Sequence, residues 1–275
     1  MPELPEVETI RRDLEPELTG RTITGVEVHQ DDIVLAPHDP RSFRRRLEGR
    51  KITGVGRRAK YLLFHLDDSS VLQTQLRMSG RFAIGREIPD PGEFRHIAAR
   101  LHLDDGRTLF YDDMRRLGGL RLLEERDWKI EEARLGPEPL ESSYRAADLA
   151  RTLARTRAPV KNVLLDQRRV AGVGNIYASE ALFRARVDPR RPGRELTAPE
   201  VKRLHRSVRD VLREALEQAG TSFQNYRAVN GRSGEFQFSL RVYGRAGEPC
   251  RTCRRPIVRI VQAARSTFYC PSCQA

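Results

Sequence analysis

The sequence predicts an α+β protein: a helix, a run of strands, a set of helices and a short cysteine-bearing tail. Three observations predict it. Val7, Ile10, Leu14 and Leu18 recur at spacings of three and four directly after the amino terminus, which makes one apolar stripe. Residues 21–122 break into short β-type runs between turn signals. Beyond residue 135 helical periodicity returns and leads into a tail that holds all four cysteines.

Each element has its own local reason. Pro5 and Glu6 suit a first helical turn, since proline has no amide to leave unpaired and the carboxylate faces the positive end of the dipole. Gly20-Arg21-Thr22-Ile23-Thr24-Gly25-Val26 is echoed at Gly49-Arg50-Lys51-Ile52-Thr53-Gly54-Val55, which points to two equivalent strands. Further strands are expected at Tyr61 to Leu66, Val71 to Leu76, Ile97 to Leu103, Thr108 to Tyr111 and Leu120 to Leu123, with Asp105-Gly106 as a hairpin signal. Several short strands of this kind make a sandwich or a barrel. Gly136-Pro137 and Glu138-Pro139 read as a linker. Helices are expected over 147–155, 159–168, 176–186 and 198–219, the last opened by a Thr197/Glu200 capping box and stopped by Gly220. Residues 221–235 read as a loop.

Composition narrows the partners. Lys and Arg number 50 against 38 Asp and Glu, a net charge of +12, which favours a polyanion such as DNA or RNA. A charged, solvated surface is the competing reading, and the excess of Arg over Lys is also what a GC-rich genome produces. No apolar run reaches 18 residues, so no membrane span is expected. The acidic start lacks an apolar leader core, so the chain is expected to stay in the cytosol, where disulfides are rare.

Cys250-x-x-Cys253 and Cys270-x-x-Cys273 are separated by 16 residues, a spacing suited to one four-cysteine zinc site. Four soft thiolates in a closed tetrahedron suit structural zinc and leave no position for a catalytic water. Two redox pairs or disulfides are the alternative. Arg251, Arg254, Arg255, Arg259 and Arg265 crowd this tail. Basic fingers commonly sit on phosphates, although a solvated hairpin would carry the same charge.

Six stretches, in order along the chain, resemble the bacterial formamidopyrimidine-DNA glycosylase family. They are Pro2-Glu3-Leu4-Pro5-Glu6-Val7-Glu8-Thr9, Arg58-Ala59-Lys60-Tyr61-Leu62, Leu76-Arg77-Met78-Ser79-Gly80, Asp113-Met114-Arg115-Arg116-Leu117-Gly118, Gly172-Val173-Gly174-Asn175-Ile176-Tyr177, and the run from Arg265 to Gln274. The resemblance implies an amino-terminal helix and β-sandwich over 1–135, a helix-two-turn-helix domain with a lesion-capping loop over 136–235, and a β-hairpin zinc finger over 236–275. It also implies excision of oxidised purines such as 8-oxoguanine from duplex DNA, then β,δ-elimination, with one structural zinc, no small-molecule cofactor and a monomeric enzyme.

The same resemblance assigns roles. Pro2, freed by removal of Met1, is the Schiff-base nucleophile. An α-amine near 7.7–8.0 offers roughly 300 times more free base at neutral pH than a lysine near 10.4. Glu3 is the proton donor at the sugar, Lys60 that of β-elimination and Arg265 that of δ-elimination. Glu6 supports the site, or simply caps the helix. His96, Asn175, Tyr243 and Arg265 are expected on phosphates, with helix capping the plainer reading of Asn175. Met78, Arg115 and Leu117 are expected to fill the gap left by a flipped base. Met78 and Leu117 would otherwise be ordinary core residues, and the family usually has phenylalanine where Leu117 stands. Leu4 separates the chain from the endonuclease-VIII-like branch, which usually has glycine there and prefers oxidised pyrimidines. A non-enzymatic zinc-finger DNA-binding protein would explain the charge and the cysteines but not the amino terminus.

Overall fold

The computed structural model describes residues 2–88, 90–221 and 234–274. The chain forms two compact units, Met1–Ala133 with Ala219–Gly234, and Arg134–Gln218 with Glu235–Ala275. This grouping puts the cysteine tail with the helices and residues 219–234 with the first unit, where the sequence suggested cuts at 135 and 235.

The first unit opens with α1 (Leu4–Leu18), whose buried stripe is the one expected: Val7, Ile10, Leu14 and Leu18 are at most 2% exposed. Two four-stranded antiparallel sheets follow. One has the order β1 (Ile23–Val28), β6 (Ile97–Leu103), β7 (Thr108–Asp113), β5 (Gly80–Gly85). The other has the order β2 (Ile52–Arg58), β3 (Tyr61–Leu66), β4 (Ser70–Gln75), β8 (Gly119–Glu124). Both sheets and α1 contribute to one buried apolar cluster, which is a sandwich core and not a closed barrel.

The sequence echo has a structural meaning. β1 and β2 are edge strands of different sheets, and each breaks register at the same place, Ile23/Gly25 and Ile52/Gly54. The two segments also bond each other reciprocally. Gly20 N donates to Ile52 O at 2.7 Å and Gly49 N to Ile23 O at 2.8 Å. Gly20 and Gly49 have φ of +87° and +81°, the left-handed region that favours glycine.

Two short helices interrupt or follow the expected strands. α2 (Pro40–Leu47) is capped by Asp39, whose Oδ1 accepts from Arg41 N and Ser42 N, and it buries Phe43 and Leu47. α3 (Glu125–Glu132) buries Trp128. Strand β5 is a further element that the sequence pattern does not announce.

The second unit contains α4 (Ala146–Ala154), α5 (Val160–Leu165), α6 (Asn175–Ala185) and α7 (Ala198–Glu217), then the hairpin β9 (Val258–Gln262) and β10 (Arg265–Tyr269). α5 stops three residues short of expectation because the Asp166 side chain accepts from Arg168 N at 3.0 Å, a turn that competes with the helix. Gln167 then ties the turn to the segment that leads into α6, donating to Val173 O at 2.8 Å and accepting from Gly172 N at 2.9 Å. The Thr197/Glu200 capping box is present at the start of α7. Phe183 of α6 packs with Val242, Ile257, Phe268, Cys250 and Cys270, which makes the cysteine tail part of this unit's core. Among the described residues no helix is long and apolar enough to cross a membrane.

Candidate functional site

The amino-terminal turn is tied at both ends by one carboxylate. Glu6 is 2% exposed; its Oε2 accepts from Glu3 N at 2.7 Å and its Oε1 from Thr221 N at 2.8 Å. Glu6 therefore caps the helix and also bonds the start of the 221 segment. Glu3 is 2% exposed and Pro2 half-buried, so the ring and the acid lie together at the start of α1. Met1, and the loop expected between Gly220 and Glu235 except for its ends, lie outside the described residues.

Lys60 sits in the two-residue turn between β2 and β3, after Ala59 at φ +53°, and is 7% exposed. Arg57 holds that turn, donating to Ala59 O at 2.8 Å and to Glu8 Oε2 of α1 at 3.1 Å. Burial alone would raise the Glu8 acid, but Arg11, Arg12 and Arg57 outweigh it and keep the pKa below the usual carboxylate range. Glu8 and Arg57 thus relate the Lys60 turn to the helix that carries Glu3. Sequence reasoning missed them, although Glu8 lies inside the amino-terminal motif.

Met78 and Leu117 are 48% and 47% exposed, which rules out core packing for both. Arg115 is exposed beside Met78, with Nη1 3.2 Å from Sδ. Beneath these loops lies Asp113, 1% exposed, which no sequence argument singled out. Gly118 closes the turn above it, where an added Cβ would come within 2.3 Å of Tyr111 Oη. Tyr111 is buried, and burial with the adjacent Asp113 charge pushes its phenol up. His96 is exposed, and its backbone is fixed by Asp112 Oδ1 on N at 3.2 Å and by Asp113 N on O at 3.1 Å. Burial raises the Asp112 acid despite Arg81 and His96 nearby.

The remaining expected residues belong to the second unit. Asn175 is the first residue of α6, but the N-cap is Gly174, so Asn175 is not the cap that was its plainer reading. Its Nδ2 donates to Ser266 O at 2.9 Å and its Oδ1 has no partner among the described residues. The buried Lys161 donates to the same carbonyl at 3.1 Å and to Thr267 Oγ1 at 2.6 Å. Together they hold β10 in place. Arg265 opens β10, exposed, directly after Ala263 and Ala264 at φ +47° and +58°, the geometry of a tight two-residue hairpin.

Tyr243 packs edge-on against Phe268 at 5.0 Å, and its N–H donates to Glu180 Oε1 at 2.8 Å. Glu180 is fully buried and also accepts from Val242 N and Arg241 N, both at 2.9 Å. Burial pushes its acid up against these three amide donors, which favour the carboxylate. Nothing in the sequence separates Glu180 from a solvated acid, because α6 also carries Asn175, Ser179 and Arg184.

The four cysteine sulfurs all lie within 4.8 Å of one another, with Cys250–Cys273 at 3.9 Å and Cys253–Cys270 at 3.4 Å. Tetrahedral thiolate ligation at about 2.3 Å places sulfurs about 3.8 Å apart, whereas a disulfide needs about 2.05 Å. A hydrogen bond from the Arg255 backbone draws the Cys253 thiol down to about 6, while burial and the neighbouring sulfurs push Cys270 and Cys273 up. Thiolates this close coexist only around a cation, and the set fits one structural zinc with no open position.

Known proteins share this arrangement over its whole length. The formamidopyrimidine-DNA glycosylase N-terminal domain matches residues 1–120, the H2TH domain of that enzyme matches residues 135–226, and a zinc finger found in FPG and IleRS matches residues 247–275. The formamidopyrimidine-DNA glycosylase of Chloroflexus aurantiacus is 46% identical over 274 residues, covering 100% of this chain and 98% of its own. The crystal structure of the MutM (FPG) protein from Thermus thermophilus has a TM-score of 0.88 at 44% identity and covers 99% of this chain and 98% of its own. Lactococcus lactis Fpg in complex with DNA containing an abasic site has a TM-score of 0.91 at 34% identity, covering 99% of both chains. With relatives this similar from end to end, the chain belongs to the formamidopyrimidine-DNA glycosylase family.

Proposed function

We propose that this chain, once Met1 is removed, excises 8-oxoguanine and formamidopyrimidines from duplex DNA and then cuts the strand as an AP lyase. The observation that carries the reading is the tied amino-terminal turn, in which the Glu6 carboxylate bonds Glu3 N and Thr221 N. That tie holds Pro2 and the buried Glu3 as one unit, and a nucleophile must be held in a near-attack position to react. Family relatives add that one solved complex contains a Fapy-dG lesion and another an abasic site.

The free Pro2 ring nitrogen attacks C1′ of the extruded nucleotide, and the glycosidic bond breaks as the base leaves. Glu3 supplies a proton at the sugar as the ring opens to an iminium. A carboxyl group kept from water can hold that proton near neutral pH. The cationic iminium withdraws electrons, so loss of a C2′ proton expels the 3′ phosphate, with Lys60 as proton donor. Loss of the C4′ proton in a second elimination then expels the 5′ phosphate, with Arg265 as donor. His96, Asn175 and Tyr243 hold phosphates, while Met78, Leu117 and Arg115 occupy the vacated stack, Arg115 facing the orphaned base. Zinc keeps the finger folded and takes no step in the chemistry. A single chain works as a monomer on chromosomal DNA in the bacterial cytoplasm.

Borohydride trapping across a lesion panel tests this. Reduction should link the protein covalently to duplexes carrying 8-oxoguanine opposite cytosine and to abasic duplexes. Preference for thymine glycol would move the chain to the pyrimidine branch. Trapping on abasic DNA alone would leave only a lyase, and no trapping at all would leave a DNA-binding zinc-finger protein.

A further inference from the structure

We propose that Asp113, acting through Ser79, is the positioning residue that locks two separate loops into one preformed insertion tip. The inference rests on the function proposed above and goes one layer beneath the residues assigned there. The loop before β5 carries Met78; the loop between β7 and β8 carries Arg115 and Leu117. The backbone ladder joins only the stems of the two loops, Gly80 opposite Asp113 and Gln75 opposite Gly119, and stops short of their tips.

The side chain of Asp113 supplies the missing connection. Its Oδ1 accepts from Ser79 Oγ at 2.5 Å and from Arg115 N at 3.3 Å. Its Oδ2 accepts from Gly118 N at 2.8 Å and from Tyr111 Oη at 3.3 Å. Ser79 Oγ closes the ring by accepting from Arg115 N at 3.1 Å. One buried carboxylate therefore bonds both loops and both ends of the turn that presents Leu117. Ser79 and Asp113 are 6% and 1% exposed, so water competes little for these bonds. A tip that enters the base stack must resist being pushed back by the bases it separates. Ordering it beforehand removes that cost from the DNA-bound step.

The test compares excision of 8-oxoguanine from duplex DNA with borohydride trapping on a single-stranded abasic oligonucleotide, which has no stack to enter. Ser79→Ala should lower the ratio of duplex excision to single-strand trapping about tenfold, the size of one lost hydrogen bond. Asp113→Asn, which puts an amide donor against an amide N–H, should lower it further. In an Asp113→Ala background, Ser79→Ala should add under about twofold, because the two side chains act through one shared bond. An unchanged ratio overturns the proposal, as does a fall of both activities in step, which would make Asp113 a general fold residue. Full additivity with Asp113→Ala overturns it as well. Absence of trapping in the unmodified protein would instead refute the glycosylase reading itself.

Discussion

Replacing Glu6 with glutamine keeps the shape of the side chain and removes one acceptor. The native carboxylate serves two amides, Glu3 N at 2.7 Å and Thr221 N at 2.8 Å, at 2% exposure. A glutamine has one carbonyl oxygen and one NH2 group. Whichever way it turns, the NH2 group faces a backbone N–H, so one buried donor loses its partner. That costs about 1–3 kcal/mol. If the cost is met by loosening the turn that bears Pro2 and Glu3, the single-turnover rate falls about 5- to 150-fold. The assay is rapid-quench excision of 8-oxoguanine at saturating protein, run beside thermal unfolding. A lowered Tm with an undiminished single-turnover rate would reduce Glu6 to a helix cap and refute the reasoning.

Three other outcomes follow from the same structure. Stripping zinc with a chelator should unfold the small core around Cys250, Ile257, Phe268 and Cys270 and weaken DNA binding, while the sandwich keeps its own calorimetric transition; unchanged DNA affinity in metal-free protein would contradict this. Arg265→Ala should reduce the slope of log K against log salt by about 0.9, measured by fluorescence anisotropy and alike on damaged and undamaged duplexes. Glu200 is held down to about 2 by the paired Arg191 guanidinium and the Thr197 cap, below its ordinary value of 4.5. Because the folded value is the lower one, its stabilisation is present above 4.5 and is lost as pH falls through about 2, so Glu200→Gln should flatten that limb of an acid denaturation curve.

What could be read in the sequence was local. The α1 stripe, the Thr197 capping box and the two cysteine pairs each declare themselves within a few residues, and the structure keeps all three. The echo at Gly20 and Gly49 announced two equivalent strands, though not that they would edge opposite sheets. α2 was hidden because Asp39-Pro40 is equally a turn signal between strands, and only the burial of Phe43 and Leu47 decides for a helix. The positioning polar residues were hidden for a different reason. Asp113 reaches Ser79 across 34 positions, Lys161 reaches Thr267 across 106, and Glu180 reaches Val242 across 62. In sequence such groups look like any solvated charge. Burial and hydrogen bonding, which distinguish them, exist only once distant segments meet.

The proposed chemistry turns on a covalent bond at one atom. The measurement that tests it most directly is the intact mass and peptide map of the borohydride-reduced adduct with an 8-oxoguanine duplex. The predicted result is a single link at the nitrogen of Pro2 on a chain that has lost Met1, abolished by Pro2→Gly. A link mapping to Lys60 or any other lysine, or a Met1-retaining chain that is trapped equally well, would contradict it.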